Sequence, residues 1–279
     1  MSVLEKMMNI DRRIIFIFVA AAIVIPSIVR LNLPIKPSPM VVAYYNAIES
    51  LPPGSVVLVS SDYDPGSKAE LLPMTLATFR HCFSRDLKVI GMGLWPQGID
   101  LTYKALRQAA KEYGKKEGED FVMCGYKAGA AFVIVGLGQD LPGTLEKDVR
   151  GRDLKSLPLF RKHNIRSLRD IPLVVSMSAG NPGIDTWIVY GRDQFGFRMI
   201  GGCTGVMAPD FYPYLNTGQL EGLLGAAKGA ADYETLIKRP GLACRMMDPQ
   251  TVAHLVIIVF IIIGNIALLS SAIRRRRKA

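Results

Sequence analysis

Apolar and polar residues repeat along this chain on three periods, and each predicts a different kind of element. Near the N-terminus an apolar run from Ile14 to Val29, with only Ser27 polar, is bracketed by Arg12, Arg13 and Arg30. Near the other end a longer run, Val252 to Ile273, is closed by the basic residues Arg274 to Lys278. A helix rises about 1.5 Å per residue, so about 20 apolar residues cross the hydrocarbon and about 17 is the lower limit. The pattern predicts two transmembrane helices, residues 14–30 and 251–273, with terminal tails 1–13 and 274–279. A basic start followed by an apolar stretch also describes a cleaved signal peptide, but no small-x-small cleavage site comes after the first run, and a retained anchor is expected. Pro26 falls near the outer end of that anchor, where freed backbone groups reach water or a neighbouring helix.

Between the anchors the period changes. Pro34, Pro37 and Pro39 stiffen a connector, 31–40, and an α/β domain is expected over 41–250. A helix from Val41 to Ser50 stops at Pro52, Pro53 and Gly54, and Val56 to Ser60 is a short continuous apolar run of strand length. The cycle recurs with a helix from Ala69 to Phe83 and a strand from Leu87 to Gly93. It recurs again with a helix from Asp100 to Tyr113, apolar along Leu101, Ala105, Leu106, Ala109 and Tyr113, and a strand from Asp120 to Cys124. Strands resume at Pro172 to Ser176 and Phe197 to Gly201, with a helix from Gly183 to Asp193 between them. Helices alternating with unbroken apolar strands are the mark of parallel strands buried on both faces. The expected fold is therefore α/β: a doubly wound, mainly parallel, Rossmann-like sheet flanked by the two transmembrane helices. The basic stretch 141–170, with Lys147, Arg150, Arg152, Lys155, Arg161, Lys162, Arg166 and Arg169, reads as a surface insertion.

A last soluble helix is expected from Thr217 to Ile237, with Gly222, Gly225 and Gly229 among alanines. Glycine inside a helix costs about 1 kcal/mol relative to alanine, so this backbone must approach something closely, either the sheet or another subunit. In the second anchor Asn265 lies deep in the apolar run with Gly264 beside it. A lone amide in lipid is costly, and a helix–helix hydrogen bond is favoured over an ion pathway.

Chemistry, if present, belongs at the carboxyl edge of the sheet, in the crevice at the topological switch point. The strand-end loops place Asp62, Asp64, Gly66, Ser67, Gly93, Gly98, Gly180 and Gly202 there. The plainer reading is that short strand-to-helix turns need glycine whatever they bind. Asp62 and Asp64 have the spacing of a magnesium-holding or nucleophile–acid carboxylate pair, as in haloacid-dehalogenase-type phosphotransferases. The second strand ends in Gly91, Met92 and Gly93 without the required Ser or Thr, and no acidic pair comes after Val175 or Ile200, so a turn that caps the next helix is favoured. Ser178, with Lys127 as a conceivable activator, departs from G-x-S-x-G, and no histidine stands in a strand-end loop. The Gly91, Gly93 pair lacks the third glycine of a dinucleotide fingerprint. No cofactor and no metal is expected: His81, His163 and His254 are scattered, and Cys82, Cys124, Cys203 and Cys244 form no closely spaced pair, so free core thiols are favoured over disulfides.

Charge changes the picture at one point. The formal charge is +10, with 34 Lys and Arg against 24 Asp and Glu. Lys6, Arg12, Arg13 and Arg274 to Lys278 flank the anchors, and by the positive-inside rule both tails are cytoplasmic and the domain extracytoplasmic. Arg30, Lys36, Lys238, Arg239 and Arg245 oppose that bias from the domain side. The remaining cations are spread out rather than clustered with aromatics, so lipid headgroups, met by Lys238, Arg239 and Arg245, are favoured over nucleic acid as a partner.

The segments Val57 to Leu71 and Thr217 to Glu234 resemble parts of uncharacterised prokaryotic membrane proteins with one transmembrane helix at each end. The resemblance implies the same two-anchor plan and brings no activity. The expectation for function is a non-catalytic subunit that docks other membrane-protein subunits or itself, through Gly222, Gly225, Gly229, Gly264 and Asn265. The alternatives are a hydrolase or phosphotransferase at the crevice, using Asp62, Asp64 and Ser178, and a solute-sensing domain using the same crevice.

Overall fold

The computed structural model describes residues 11–29, 31 and 33–276, so the expectations for residues 1–10, 30, 32 and 277–279 lie outside it. The chain divides into two compact units, one of residues up to Pro34 and from Arg245 onward, the other Ile35–Cys244.

The larger unit is built on a six-stranded sheet of order β3-β2-β1-β4-β5-β6, every neighbouring pair parallel. In chain order its elements are α2 (Pro39–Glu49), β1 (Val56–Asp62), α3 (Lys68–Ser84), β2 (Lys88–Gly93), α4 (Ile99–Glu112), β3 (Phe121–Tyr126), α5 (Ala130–Gln139), α6 (Leu141–Leu145) and α7 (Pro158–Lys162). Then come β4 (Leu173–Ser178), α8 (Ile184–Trp187), a π-helical turn (Ile188–Arg192), α9 (Asp193–Phe195), β5 (Arg198–Cys203), α10 (Ala208–Asn216), β6 (Leu223–Gly225) and α11 (Ala226–Leu236). Every residue of β1 and β4 is buried, which is why their sequences run apolar without alternating. Side chains at alternate positions still part to two faces. Val56, Leu58, Ser60 and Asp62 point one way, with Val56 and Leu58 in a core cluster that includes residues of α5, α6, α7, α8 and α10. The opposite face is covered by α3 and α4, with α11 packed on α3 and α2 on α11. Trp187 and Phe79 are fully buried, and a core side chain of that size contributes about 1.5–3 kcal/mol through the water it leaves.

Two expectations about this unit are corrected. The insertion 141–170 is not merely a surface excursion: Leu141, Leu145, Leu154, Leu159, Phe160, Ile165 and Leu168 are buried in the same core, while Arg150, Lys155, Arg161 and Arg166 stay exposed. Its apolar residues have no single period because they are carried by one-turn helices. The glycine-rich helix 217–237 is instead a loop, strand β6 and α11, with α10 already ended at Asn216. Gly222 lies just before β6, where a Cβ would collide with the backbone nitrogen of Tyr44, and a Cβ on Gly229 would meet Leu224 at 3.0 Å. These glycines are packed inside the chain. All four cysteines are free, with Cys82, Cys124 and Cys203 buried.

In the other unit, among the described residues, one helix is long and apolar enough to cross a membrane: α12 (Leu242–Arg276), through its segment Leu242–Ser270 of 29 residues. The expected first span forms the shorter α1 (Arg12–Ile28), 17 residues with Pro26 inside it, which at about 1.5 Å per residue is about 25 Å long. Phe18 of α1 meets Phe260 of α12 edge to face, ring centres 5.8 Å apart, and Ala22, Ala253 and Ala267 are buried. Beyond α1 the backbone N–H groups of Leu31 and Leu33 each donate to the Asp248 carboxylate at 3.0 Å. A Cβ on Gly264 would meet nothing within 4 Å, and Asn265 is exposed.

Candidate functional site

The strand order turns back between β1 and β4, so the switch point lies where these two strands end. Their register pairs Ser60 with Ser176 and Asp62 with Ser178. Paired residues of parallel strands share a face, so the sheet places four polar residues together on the α5 side of an otherwise apolar surface. All four are fully buried.

Asp62 is the centre of this set. Its carboxylate accepts the backbone N–H of Leu94 on one oxygen and the hydroxyl of Ser60 on the other, at 2.8 Å. Burial pushes its pKa up to about 7, while the N–H groups of Leu94 and Trp95 and the Ser60 hydroxyl pull the other way. The backbone donors belong to the loop after β2, which folds over the end of β1. Gly93 and Gly98 are required there: a Cβ on Gly93 would stand 2.7 Å from the Ser61 carbonyl, and one on Gly98 2.5 Å from that of Tyr63. The loop after β4 completes the cover. Trp95 donates its indole N–H to the Pro182 carbonyl at 3.0 Å, and its ring lies 3.3 Å from the Cβ position of Gly180. Ala179 donates its N–H to the Asp62 carbonyl at 3.0 Å.

Ser178 turns into this packing. Its Oγ accepts the N–H of Ile184 at 3.4 Å at the start of α8, and Gly183 presses against it. No hydrogen bond joins Ser178 to Lys127 or to a histidine among the described residues. Asp64 points the other way: its Oδ1 accepts the N–H and the hydroxyl of Ser67, both at 2.9 Å, closing the turn before α3. Those two bonds hold its pKa below the usual carboxylate value. The aspartates therefore do not converge on a metal or a phosphate; one is spent in the core and the other in a turn. Gly66 belongs to that turn, with its Cβ position 3.3 Å from the Asp64 carboxylate. Gly202 lies within β5, where a Cβ would strike the sulfur of Met177. No group of three or more His, Cys, Asp or Glu placed to hold a metal ion occurs among the described residues.

Sequence reasoning missed Ser60 and Ser176 as partners of this set. The i, i+2 pairs Ser60/Asp62 and Ser176/Ser178 were the available signal, but pairing them needs the register. It also missed His81, buried in α3 between the Tyr233 hydroxyl on Nδ1 (2.7 Å) and the Glu49 carboxylate on Nε2 (2.9 Å). Burial lowers the His81 pKa and Glu49 opposes that shift. This Glu–His–Tyr chain ties α2, α3 and α11 together.

A concave surface lies elsewhere, an open depression of about 710 Å³ on the outer side of α4, lined by Tyr103, Lys104, Arg107, Lys111, Lys115 and Arg150 among others. No protein-family model matches the chain, and no curated protein matches it.

Proposed function

We propose that this chain is a membrane-anchored, non-catalytic α/β subunit that docks partners in a membrane assembly. The observation that carries this reading is the state of the switch point. The fold's ordinary ligand crevice is filled by backbone and by Trp95, and both oxygens of its carboxylate are taken by donors of the same chain. The apolar unit, by contrast, carries an exposed amide, Asn265, with no hydrogen-bond partner among the described residues.

In this reading α12 is one anchor and α1 the other, its short apolar length extended by the apolar residues after it and by local thinning of the bilayer. Arg12 and Arg13 at the start of α1, and Arg274 to Arg276 at the end of α12, put both tails in the cytoplasm and the domain outside it. Lys238, Arg239 and Arg245 meet anionic headgroups. Native membranes dissolved in mild detergent should yield this chain in a particle far larger than its 30.6 kDa plus detergent, with defined companion proteins. Recovery as a lone monomer would sink the reading.

One observation favours a second reading, in which a solute or a hydrolysable substrate enters after the loops part: the Ser176 hydroxyl is buried with no partner among the described residues, on the sheet face that also carries Asp62, whose pKa is pushed up to about 7. That reading requires Asp62→Asn or Ser178→Ala to abolish a turnover or a binding event while the fold survives.

A further inference from the structure

The second anchor carries a polar side chain that its own unit does not satisfy. α12 meets α1 along one stripe: Phe260 packs on Phe18, and Ala253 and Ala267, each seven residues from Phe260, are buried. At about 100° per residue, Asn265 lies about 140° around the helix from Phe260. It is exposed, and its amide makes no hydrogen bond among the described residues.

Asn265 lies on the broad exposed face of α12, and one heptad-spaced stripe of that face ends on it. His254, Ile258, Ile261 and Asn265 succeed one another at steps of four, three and four, all exposed, with Ile258 at 50% and Ile261 at 55%. Steps of this kind average about 3.5 residues and form the seam of a left-handed helix pair. In that seam Ile258 and Asn265 are a positions and Ile261 is a d position. A single Asn at an a position sets register, because it is comfortable only opposite another group that both donates and accepts.

We infer that this seam is the contact between copies of the chain, with Asn265 of one copy hydrogen-bonded to Asn265 of the next. The inference rests on the reading that α12 crosses the bilayer. All copies then insert in one orientation, so their α12 helices run parallel, and in a parallel pair each a position faces its own counterpart. A primary amide is self-complementary: each carbonyl oxygen accepts an N–H of the other. The open space at Gly264 leaves the approaching backbone unobstructed on that side.

The test uses the full chain with donor and acceptor fluorescent proteins at the N-terminus, reconstituted in phosphatidylcholine vesicles over a series of protein-to-lipid ratios. Energy transfer is expected in the wild type and should fall as lipid dilutes it. Asn265→Leu should move the midpoint about tenfold toward higher protein density, and Asn265→Gln, which keeps the amide, should stay within about threefold of wild type. A wild type without transfer, or an Asn265→Leu midpoint equal to wild type, overturns the inference. Comparison with the native particle separates it from the broader reading. Companion proteins around a single copy of this chain would overturn the inference alone, whereas copies of this chain without companions would uphold it and narrow the assembly to self-association.

Discussion

Asp62 and Asn265 are both polar side chains set in apolar surroundings, and the chain treats them in opposite ways. At the end of β1 the fold brings donors to the carboxylate from β1 itself and from the loop after β2, and closes the site with Trp95. In the middle of α12 it brings no hydrogen bond to the amide among the described residues, and turns it away from α1. An unpaired polar group in a low-dielectric setting costs free energy, and under the proposed membrane placement of α12 both groups are in such a setting. A group satisfied internally therefore reads as structure, and one left open reads as an unfinished contact.

The largest expected effect breaks the first half of this comparison. Asp62→Ala strands the N–H groups of Leu94 and Trp95 and the Ser60 hydroxyl, and should cost the domain about 3–5 kcal/mol in urea denaturation. A change below about 1 kcal/mol would show that the carboxylate is not what holds the loops.

Glycines sharpen the same contrast. Gly222→Ala drives a Cβ onto the backbone of Tyr44 and should destabilise by about 2–3 kcal/mol. Gly264→Ala meets open space and should leave thermal stability of the domain unchanged. Equal melting shifts in the two variants would contradict the packing described.

Titration gives a signed effect that is smaller per pH unit. Asp62 holds its proton up to about pH 7 in the folded chain and to about 3.9 when unfolded. Between these values the folded state binds more protons, so this group makes stability fall as pH rises, by at most about 1.4 kcal/mol per pH unit. Below about pH 4 that loss is absent. His81, whose pKa is lowered, acts in the opposite sense, so the quantity to measure is the difference between wild type and Asp62→Asn across about pH 4–7. That difference should carry the slope, and a flat one would place Asp62 in contact with water. The smallest effect is the one on association: Asn265→Leu should weaken self-assembly by about tenfold and leave the melting of the domain untouched.

How much of this was legible depended on whether the information is local. The first five strands lie within about two residues of the expected positions, because Val, Leu and Ile runs flanked by glycine and proline carry their own signal. β6 was invisible. Its three residues are too few for a period, and Gly222 before it and Gly225 at its end suit a close approach in a helix as well as in a strand. The insertion misled for a related reason: eight cations in the stretch 141–170 outweigh apolar residues that have no common spacing, yet those residues reach the core one turn at a time.

At the site the balance was similar. Asp62 and Asp64 stood out by their spacing, but residues two apart share a face only while the strand lasts, and β1 ends at Asp62. The turn took Asp64 outward to Ser67, and the sheet took Asp62 inward to Ser60 and Leu94. From the sequence by itself came the α/β class, the apolar ends and the lone amide at Asn265, because periodicity, length and hydropathy are properties of contiguous residues. The strand order, the polar set shared by β1 and β4, the closed switch point and the side of α12 that faces α1 were decided only by tertiary structure, because each depends on which distant segments lie side by side.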